Sequence, residues 1–489
     1  IGSTSLYQSE YDVYTGSSMA APQVSGAIAL LSEAFPNHTP AQLVDRILAT
    51  ANNNFYTKSG DTTFINGITH GYNAEFGHGI VDLELALGVI NSSSMIPRDS
   101  GIVSTGNIEN AKRFDLSTST LNLPASFGDA FQNSLNGETA YFYDSLNGGF
   151  AFNLGSLVKT NILKTKNAFN SYVNRSNYKK ILQDGPLSFV SVNDADNIIN
   201  KNKFMSIYEV NKDKSSFIGN NINIQNMLSF SQREENVING ISNNNIMAIP
   251  FLKSSDNGVS LGFKNTFNQN NNITYGYFSG KSDEFLVPTS GFIAEYSKEI
   301  KSSNLSVFTG SIIEKNGFLE SSMSGGIAEK SSTTTNFIGA TGYGWLNDIW
   351  SYDIMATAGV SNFNLQESGL VRDISDVLSS AFAVEVSKPL NFNKNDSIHF
   401  AVNQPIRLEK GTAEIDVPGL YSKGGNLNFR RKEFSISPSG RQIDLSIGYK
   451  TEVKYGGNII FKLNLTKDEG HIASGEITNS AMGYFQFEF

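Results

Sequence analysis

The feature that most constrains the fold is a strict alternation of side chains near the C-terminus. Mostly apolar residues occupy every second position of a single stretch: Ile443, Leu445, Ile447, Tyr449, Thr451, Val453 and Tyr455. Polar or small residues such as Asp444, Lys450 and Glu452 fill the positions between them. Because successive side chains of a β-strand point to opposite faces, this pattern predicts a long strand with one apolar and one polar face.

The same design recurs through residues 204–489. Gly456-Gly457 predicts a tight turn, after which the alternation returns along residues 459–465. Similar pairs of stretches occupy residues 259–267 with 273–277, and 337–345 with 350–356 across Asn347-Asp348. Their length exceeds the roughly 5–6 residues of an ordinary strand and suits a strand that crosses a membrane. We count roughly ten to fourteen such strands, enough to close an antiparallel barrel.

Two soluble architectures compete with the barrel. A solenoid requires a repeat of about 20 residues, and we find none. A β-sandwich is built from shorter strands. The aromatic residues Tyr343, Trp345, Trp350 and Tyr352 cluster at one hairpin end. They fit an interfacial aromatic girdle and a generic cross-strand cluster equally well.

Composition excludes several functions. The chain of 489 residues has a net charge of −9, which makes nucleic acid an improbable partner. It has no cysteine, which excludes disulfides and thiolate metal sites. Only 17% of the residues are charged, and no apolar run is long enough for a transmembrane helix. The chain begins at Ile1 without Met, which we interpret as a missing N-terminus.

Residues 1–91 have a different, helical pattern. Apolar positions recur at helical spacing after Pro22, and Thr39-Pro40 predicts the N-terminus of a second helix. A third helical pattern follows Asp82 through Leu85, Ala86 and Val89, and we expect Asp82 to cap it. Residues 92–203 lack a clear period and predict a linker with some strands or helices of its own.

The most informative stretch is Gly16-Ser17-Ser18-Met19-Ala20-Ala21-Pro22. It predicts a glycine turn that delivers Ser18 to the N-terminus of a helix. The unpaired N–H groups there, together with the helix dipole, favour a nearby oxyanion. We expect Pro22 to cost no hydrogen bond so early in the helix.

These residues resemble the nucleophile signature of the subtilase family of serine proteases. Residues 24–31 resemble the buried helix that carries the serine, and residues 76–82 resemble the element that closes the protease domain. The resemblance implies that residues 1–91 are the C-terminal part of an α/β subtilisin-like peptidase domain. It also implies that Ser18 is the catalytic nucleophile and forms an acyl-enzyme without a cofactor.

The family's chain order places the catalytic aspartate, histidine and oxyanion asparagine before the serine. None of the five histidines precedes Ser18; they are His38, His70, His78, His399 and His471. The resemblance therefore implies that the missing groups lie upstream of Ile1 and that this chain alone is inactive. We interpret His78 as a surface or packing residue and Asp12 as a turn or surface residue. Subtilases often bind structural calcium, but no ligand cluster is visible in this sequence.

A second resemblance concerns the remaining chain. The alternating Phe485, Phe487 and Phe489 resemble the C-terminal signature of bacterial outer-membrane barrels. Residues 402–411, continuing to 417–418, resemble a strand pair of subtilisin-type autotransporter barrels, and residues 123–131 resemble the segment that joins protease and barrel. The resemblance implies a mainly-β linker at 92–203 and a transmembrane antiparallel β-barrel of about 12 strands at 204–489.

Together these resemblances imply a surface-exposed endopeptidase anchored in the outer membrane of a Gram-negative bacterium. Its partners would be protein or peptide substrates, outer-membrane lipids, and the barrel-assembly machinery that reads Phe489. The alternative is an outer-membrane barrel or adhesin that carries a degenerate, non-catalytic protease remnant.

Overall fold

A computed structural model describes residues 2–4, 11–98, 108, 111–161, 177–193, 203–228, 247–268, 270–282, 285–328, 330–347, 349–365, 369–390, 392, 396–453 and 457–487. The predicted roles of Tyr455, Gly456, Asp348 and Phe489 lie outside these described residues. The helices are α1 (Ser17–Ala34), α2 (Pro40–Thr50), α3 (Leu83–Leu87) and α4 (Ala130–Leu135).

The strands of the first 161 residues are short. They are β1 (Gly2–Thr4), β2 (Tyr11–Val13), β3 (Gly60–Thr63), β4 (Thr69–Tyr72), β5 (Ser94–Met95), β6 (Phe114–Asp115), β7 (Leu121–Pro124), β8 (Thr139–Tyr143), β9 (Gly149–Asn153) and β10 (Val158–Asn161). The segment that we interpreted as a linker therefore has strands of its own, as predicted.

The later strands are mostly long. They are β11 (Asn177–Asp184), β12 (Leu187–Asn193), β13 (Lys203–Asn211), β14 (Lys214–Asn220), β15 (Gly258–Phe267), β16 (Asn271–Lys281), β17 (Pro288–Ile300), β18 (Ser303–Lys315), β19 (Gly317–Phe318), β20 (Ser321–Met323), β21 (Ser331–Trp345), β22 (Ser351–Leu365), β23 (Val371–Ile374), β24 (Val377–Pro389), β25 (Ser397–Lys410), β26 (Thr412–Pro418), β27 (Phe429–Ser435), β28 (Ile443–Val453), β29 (Gly457–Lys467) and β30 (Ile477–Phe487).

One antiparallel sheet dominates the molecule. Among the residues that the structure describes, it contains 15 strands, in chain order from β11 to β30 with β19, β20, β23, β26 and β27 left out. The predicted count was about 12, and the sheet begins at Asn177, inside the segment interpreted as a linker. Among the described strands, no pairing joins β11 to β30.

The predicted hairpins form. The stretches on either side of the Gly456-Gly457 turn become β28 and β29, with Val453 opposite Gly457. The stretches at 259–267 and 273–277 become β15 and β16. Residues 402–411 fall largely in β25, which pairs with β24 and β28. The expected partner at 417–418 instead belongs to β26, which pairs with β23 and β27 in a small separate sheet.

The two faces of the large sheet have an inverted polarity. Large apolar side chains are exposed on one face, among them Leu261, Phe263, Tyr277, Phe292, Val307, Ile338, Ile447, Phe461 and Leu463. The other face is buried and carries many polar side chains, among them Ser260, Thr274, Glu295, Ser297, Thr335, Thr357, Ser379, Glu385, Lys450 and Lys462, together with apolar ones such as Phe278 and Phe308. A water-soluble sheet buries its apolar face and exposes its polar one, so the surroundings of this sheet are not those of an ordinary soluble sheet.

The two edges of the sheet also differ. Few residues separate β13 from β14, β15 from β16, β17 from β18 and β28 from β29, and these connections share one edge, here called the short-turn edge. The connections at 221–257, 316–330, 411–442 and 468–476 are long and share the other edge, the long-loop edge. With an odd number of antiparallel strands, the chain enters the sheet at one edge and leaves it at the other. β11 starts at the long-loop edge, and β30 ends at the short-turn edge.

Residues of the segment 123–131, which was predicted to join the helical part to the sheet, pack onto the long-loop edge. Leu123 and Phe127 belong to one buried cluster with Phe278 and Phe308 of the sheet. Strand β7 pairs with β20, which lies in the connection between β18 and β21. These contacts connect the N-terminal part of the chain to the sheet through the long loops.

Candidate active site

Ser18 lies at the second position of α1, immediately after a sharp backbone turn. Gly16 is the N-cap residue with φ 143°, a conformation that strains any residue with a Cβ. Its carbonyl accepts from the N–H groups of Met19 and Ala20 at 3.1 and 3.2 Å. Gly16 makes no side-chain cap bond, and the first turn has no acidic residue. The helix N-terminus therefore presents N–H groups and its positive dipole end beside an exposed Ser18.

The role predicted for Pro22 is wrong in one respect. The helix begins at Ser17, so Pro22 is the sixth helical residue rather than the first. At that position an ordinary residue would donate its N–H to the carbonyl of Ser18, four residues earlier. Proline has no N–H, so it does cost α1 one internal hydrogen bond, and that bond belongs to Ser18.

The two other predicted helix starts are confirmed. Thr39 and Gln42 form a reciprocal capping box at the start of α2. The Asp82 carboxylate accepts from the Leu85 N–H at 2.9 Å and caps α3. This last helix is shorter than predicted, because it ends at Leu87 and Gly88 already has extended geometry.

A buried ion pair attaches these helices to the β-rich segment around β8. Arg46 of α2 and Asp144, directly after β8, are 2.8 Å apart, and both side chains are 0% exposed. Arg46 also donates to the carbonyls of Ala86 and Gly88, both at 2.5 Å. Its guanidinium lies 4.1 Å from the ring centre of Phe35. The helical segment is therefore attached to the β-rich part by a contact that the sequence did not reveal.

A second contact reaches a long loop of the sheet. The Tyr421 hydroxyl is 2.8 Å from Nδ1 of the buried His38. Burial, and then the positive charge of Arg46, lowers the pKa of His38 to about 4. His38 is therefore neutral near pH 7 and fills a structural position.

The remaining histidines of the helical segment contact each other. The rings of His70 and His78 stack with centres 5.5 Å apart, and His70 Nε2 donates to the His78 carbonyl at 2.9 Å. Burial and the neighbouring His70 lower the pKa of His78. His78 is half-buried and its ring packs against His70, which agrees with the packing role that we predicted.

No histidine ring of the described residues is bonded to Ser18. The rings outside the helical segment have partners in the sheet: His471, in the connection between β29 and β30, is bonded to the Ile406 carbonyl, and His399 to Ser397 and Glu385. No role was predicted for this last group, because its members are separated by a turn. Asp12 lies in β2, and its side chain is outside the described part of the chain.

The described residues contain no group of three or more His, Asp or Glu that could hold a metal ion. Structural calcium therefore stays an expectation from the family resemblance. Within the same part of the chain, no helix is long and apolar enough to cross a membrane.

Comparison with known proteins gives one family match. The model of the subtilase family matches residues 1–79. A comparison with curated proteins gives no match. Among solved structures, the siderophore receptor PirA from Acinetobacter baumannii is similar over 80% of this chain and 72% of its own, at 9% identity and a TM-score of 0.29. That score is too low to carry an argument. Residues 1–79, which include Ser18 and the turn at Gly16, thus form a subtilase-like segment, the part of the chain that a protein family accounts for.

Proposed function

We propose that Ser18 is the nucleophile of a subtilisin-like serine endopeptidase, and that this chain carries the C-terminal part of that enzyme. The observation that carries the proposal is the position of Ser18 on the glycine turn at the start of α1, within the segment that the subtilase family model matches. A hydroxyl there can attack a peptide carbonyl and form an acyl-enzyme.

The residues of this chain supply only part of the chemistry. The N–H groups of the first turn of α1 would stabilise the oxyanion of the tetrahedral intermediate. A base must take the Ser18 proton, and a carboxylate must orient that base. We propose that both come from residues that precede this chain in a longer protein, so the chain alone is inactive.

The test uses the full-length protein and an active-site-directed fluorophosphonate. We expect Ser18 to be labelled, and Ser18→Ala to abolish both that label and peptide hydrolysis. The neighbouring Ser17→Ala is the matched control, since it changes the same turn and should keep both. Hydrolysis that persists in Ser18→Ala would refute the assignment.

We propose that the 15-stranded sheet closes into an outer-membrane barrel of the autotransporter type. The exposed apolar face, the buried polar face, the strand lengths and the contrast between short turns and long loops support this. In that arrangement outer-membrane lipids cover Leu261, Phe292 and Ile447, and polar side chains line the lumen. Long loops of such barrels face the outside, so the subtilase-like segment would be at the cell surface.

Migration in detergent gels tests closure. A folded barrel should change its mobility on boiling, whereas a chain that migrates identically with and without boiling contradicts the proposal. Recognition of Phe489 by the barrel-assembly machinery is tested by Phe489→Ser, which should reduce the amount of heat-modifiable protein in the outer membrane. Tyr343→Phe keeps a large aromatic ring and is the control.

One observation favours the second candidate, an outer-membrane protein with a non-catalytic protease remnant. All described histidine rings contact groups other than Ser18. If the full-length protein is folded and heat-modifiable but its Ser18 resists the fluorophosphonate, this candidate replaces the protease.

A further inference from the structure

The sheet contains a serine, a histidine and a glutamate that form one hydrogen-bonded chain, far in sequence from Ser18. Ser397 Oγ lies 2.9 Å from His399 Nε2, and His399 Nδ1 lies 3.1 Å from Glu385 Oε1. Ser397 and His399 are two residues apart on β25, so both point to the same face. Glu385 reaches that face from β24, because it pairs with Ala401.

Hydrogen-bond chemistry fixes the direction of this chain. Glu385 lies directly opposite Asp353 in the sheet. In its ionised form the Glu385 carboxylate only accepts, so His399 Nδ1 then donates to it. In the neutral ring Nε2 then carries no proton and accepts from the Ser397 hydroxyl. This is the arrangement in which a histidine can remove a proton from a serine while a carboxylate holds the ring.

The carboxylate is the most buried of the three groups. The Glu385 side chain is 5% exposed and that of His399 16% exposed, while Ser397 is half-buried at the first position of β25. The carboxylate is thus shielded from water, which strengthens its interaction with the ring. Ser397 lies at the short-turn edge.

A positive charge is placed opposite the serine. Lys450 of β28 pairs directly with Ser397 and is 5% exposed. Side chains that face each other in this way have Cβ atoms about 4.5–5.5 Å apart. Lys450 therefore shares the buried face with Ser397, beside the position where an oxyanion would form at Ser397 Oγ.

We propose that Ser397, His399 and Glu385 form a second hydrolytic site, for carboxylic esters of short acyl chains, on the buried face of the sheet. Ser397 Oγ attacks the ester carbonyl, and its proton passes to His399 Nε2. Lys450 stabilises the oxyanion. Collapse of the intermediate expels the alcohol, which takes the proton from Nε2. Water then attacks the acyl group with His399 as base, and releases the carboxylic acid and free Ser397. Glu385 is the positioning residue.

The experiment uses the whole chain folded in detergent, in a Ser18→Ala background that removes the first candidate nucleophile. A fluorophosphonate is the probe, and the labelled peptide is identified by mass spectrometry. We expect label on Ser397, none in Ser397→Ala, and a labelling rate at least about 100-fold lower in His399→Ala. Hydrolysis of p-nitrophenyl acetate should decrease in parallel.

Three readouts separate this proposal from a structural role. Imidazole added to His399→Ala should restore labelling, and Glu385→Asp should retain more of it than Glu385→Gln. Ser387→Ala is the matched control and should change nothing, since Ser387 lies opposite His399 in the sheet but bonds to Ser351. Absence of label on Ser397 in folded protein, or a rate that His399→Ala leaves unchanged, would overturn the site. Neither result bears on Ser18, which is mapped on a different peptide.

Discussion

The buried pair between Arg46 and Asp144 should hold the subtilase-like segment on the rest of the chain. The Asp144 carboxylate also accepts from the N–H groups of Ile90, Leu146 and Gly148, at 3.0, 3.0 and 2.8 Å. One carboxylate thus connects α2, the chain after α3, and the turn between β8 and β9. Because both charges are fully buried, the removal of one leaves the other without compensation.

The magnitude follows from this arrangement. Loss of one partner of a buried pair costs about 3–5 kcal/mol. Asp144→Asn keeps one acceptor oxygen but leaves Arg46 charged and unpaired, so we expect a loss of about 3 kcal/mol. Arg46→Met additionally removes the bonds to the Ala86 and Gly88 carbonyls, so its cost should lie near the upper end. The double variant should lose about 3 kcal/mol less stability than the sum of the losses in the two single variants.

Hydrogen exchange of the α2 amides in the detergent-folded chain is the assay, because it reports the free energy of opening of this helix. Lys253→Gln is the control. Lys253 forms an ion pair with Glu320 at a similar distance, 2.7 Å, but its side chain is 45% exposed. Such a pair contributes under about 1 kcal/mol. If Arg46→Met and Asp144→Asn change the free energy of opening of α2 no more than Lys253→Gln does, the Arg46–Asp144 pair does not hold the subtilase-like segment on the rest of the chain.

Three further predictions concern the same segment. Burial lowers the pKa of His38 to about 4 from 6.5. Below pH 6.5 the unfolded chain therefore binds a proton at this histidine, whereas the folded chain does not. The free energy of unfolding should decrease by up to ~3 kcal/mol between pH 6.5 and 4. Urea unfolding at both pH values should show this decrease, and it should be smaller in His38→Gln. Gly79→Ala should lower the melting temperature by several degrees, because its Cβ would lie 2.2 Å from the Asn52 carbonyl oxygen at φ 118°. Asp82→Ala should cost about 1 kcal/mol in thermal unfolding, because the Leu85 N–H loses its cap.

Local sequence rules were sufficient for features that depend on neighbours in the chain. The caps at Thr39 and Asp82 require only residues three positions apart. The long strands follow from period-2 alternation, which is why β28 and β29 were located correctly. The cost of Pro22 was misjudged because it was taken as a first-turn residue, although α1 begins at Ser17 and Pro22 is its sixth residue.

Features that depend on distant residues were not predictable. Nothing in the sequence marks Arg46 and Asp144 as partners, because they come together only when α2 packs beside β8. Alternation also indicates which residues share a face, but not which face is buried. In this sheet the polar set is buried, and a soluble sheet with the same pattern would bury the apolar set.

The group of Ser397, His399 and Glu385 also depends on residues that are distant in the sequence. The spacing of Ser397 and His399 is visible in the sequence, since residues two apart on a strand share a face. Glu385 joins them only because the turn between β24 and β25 sets Pro389 opposite Ser397. A slip of one residue in that pairing would move Glu385 to the opposite face of the sheet. The proposed second site therefore depends on the length of one turn, and its chemistry becomes apparent only when the register is known.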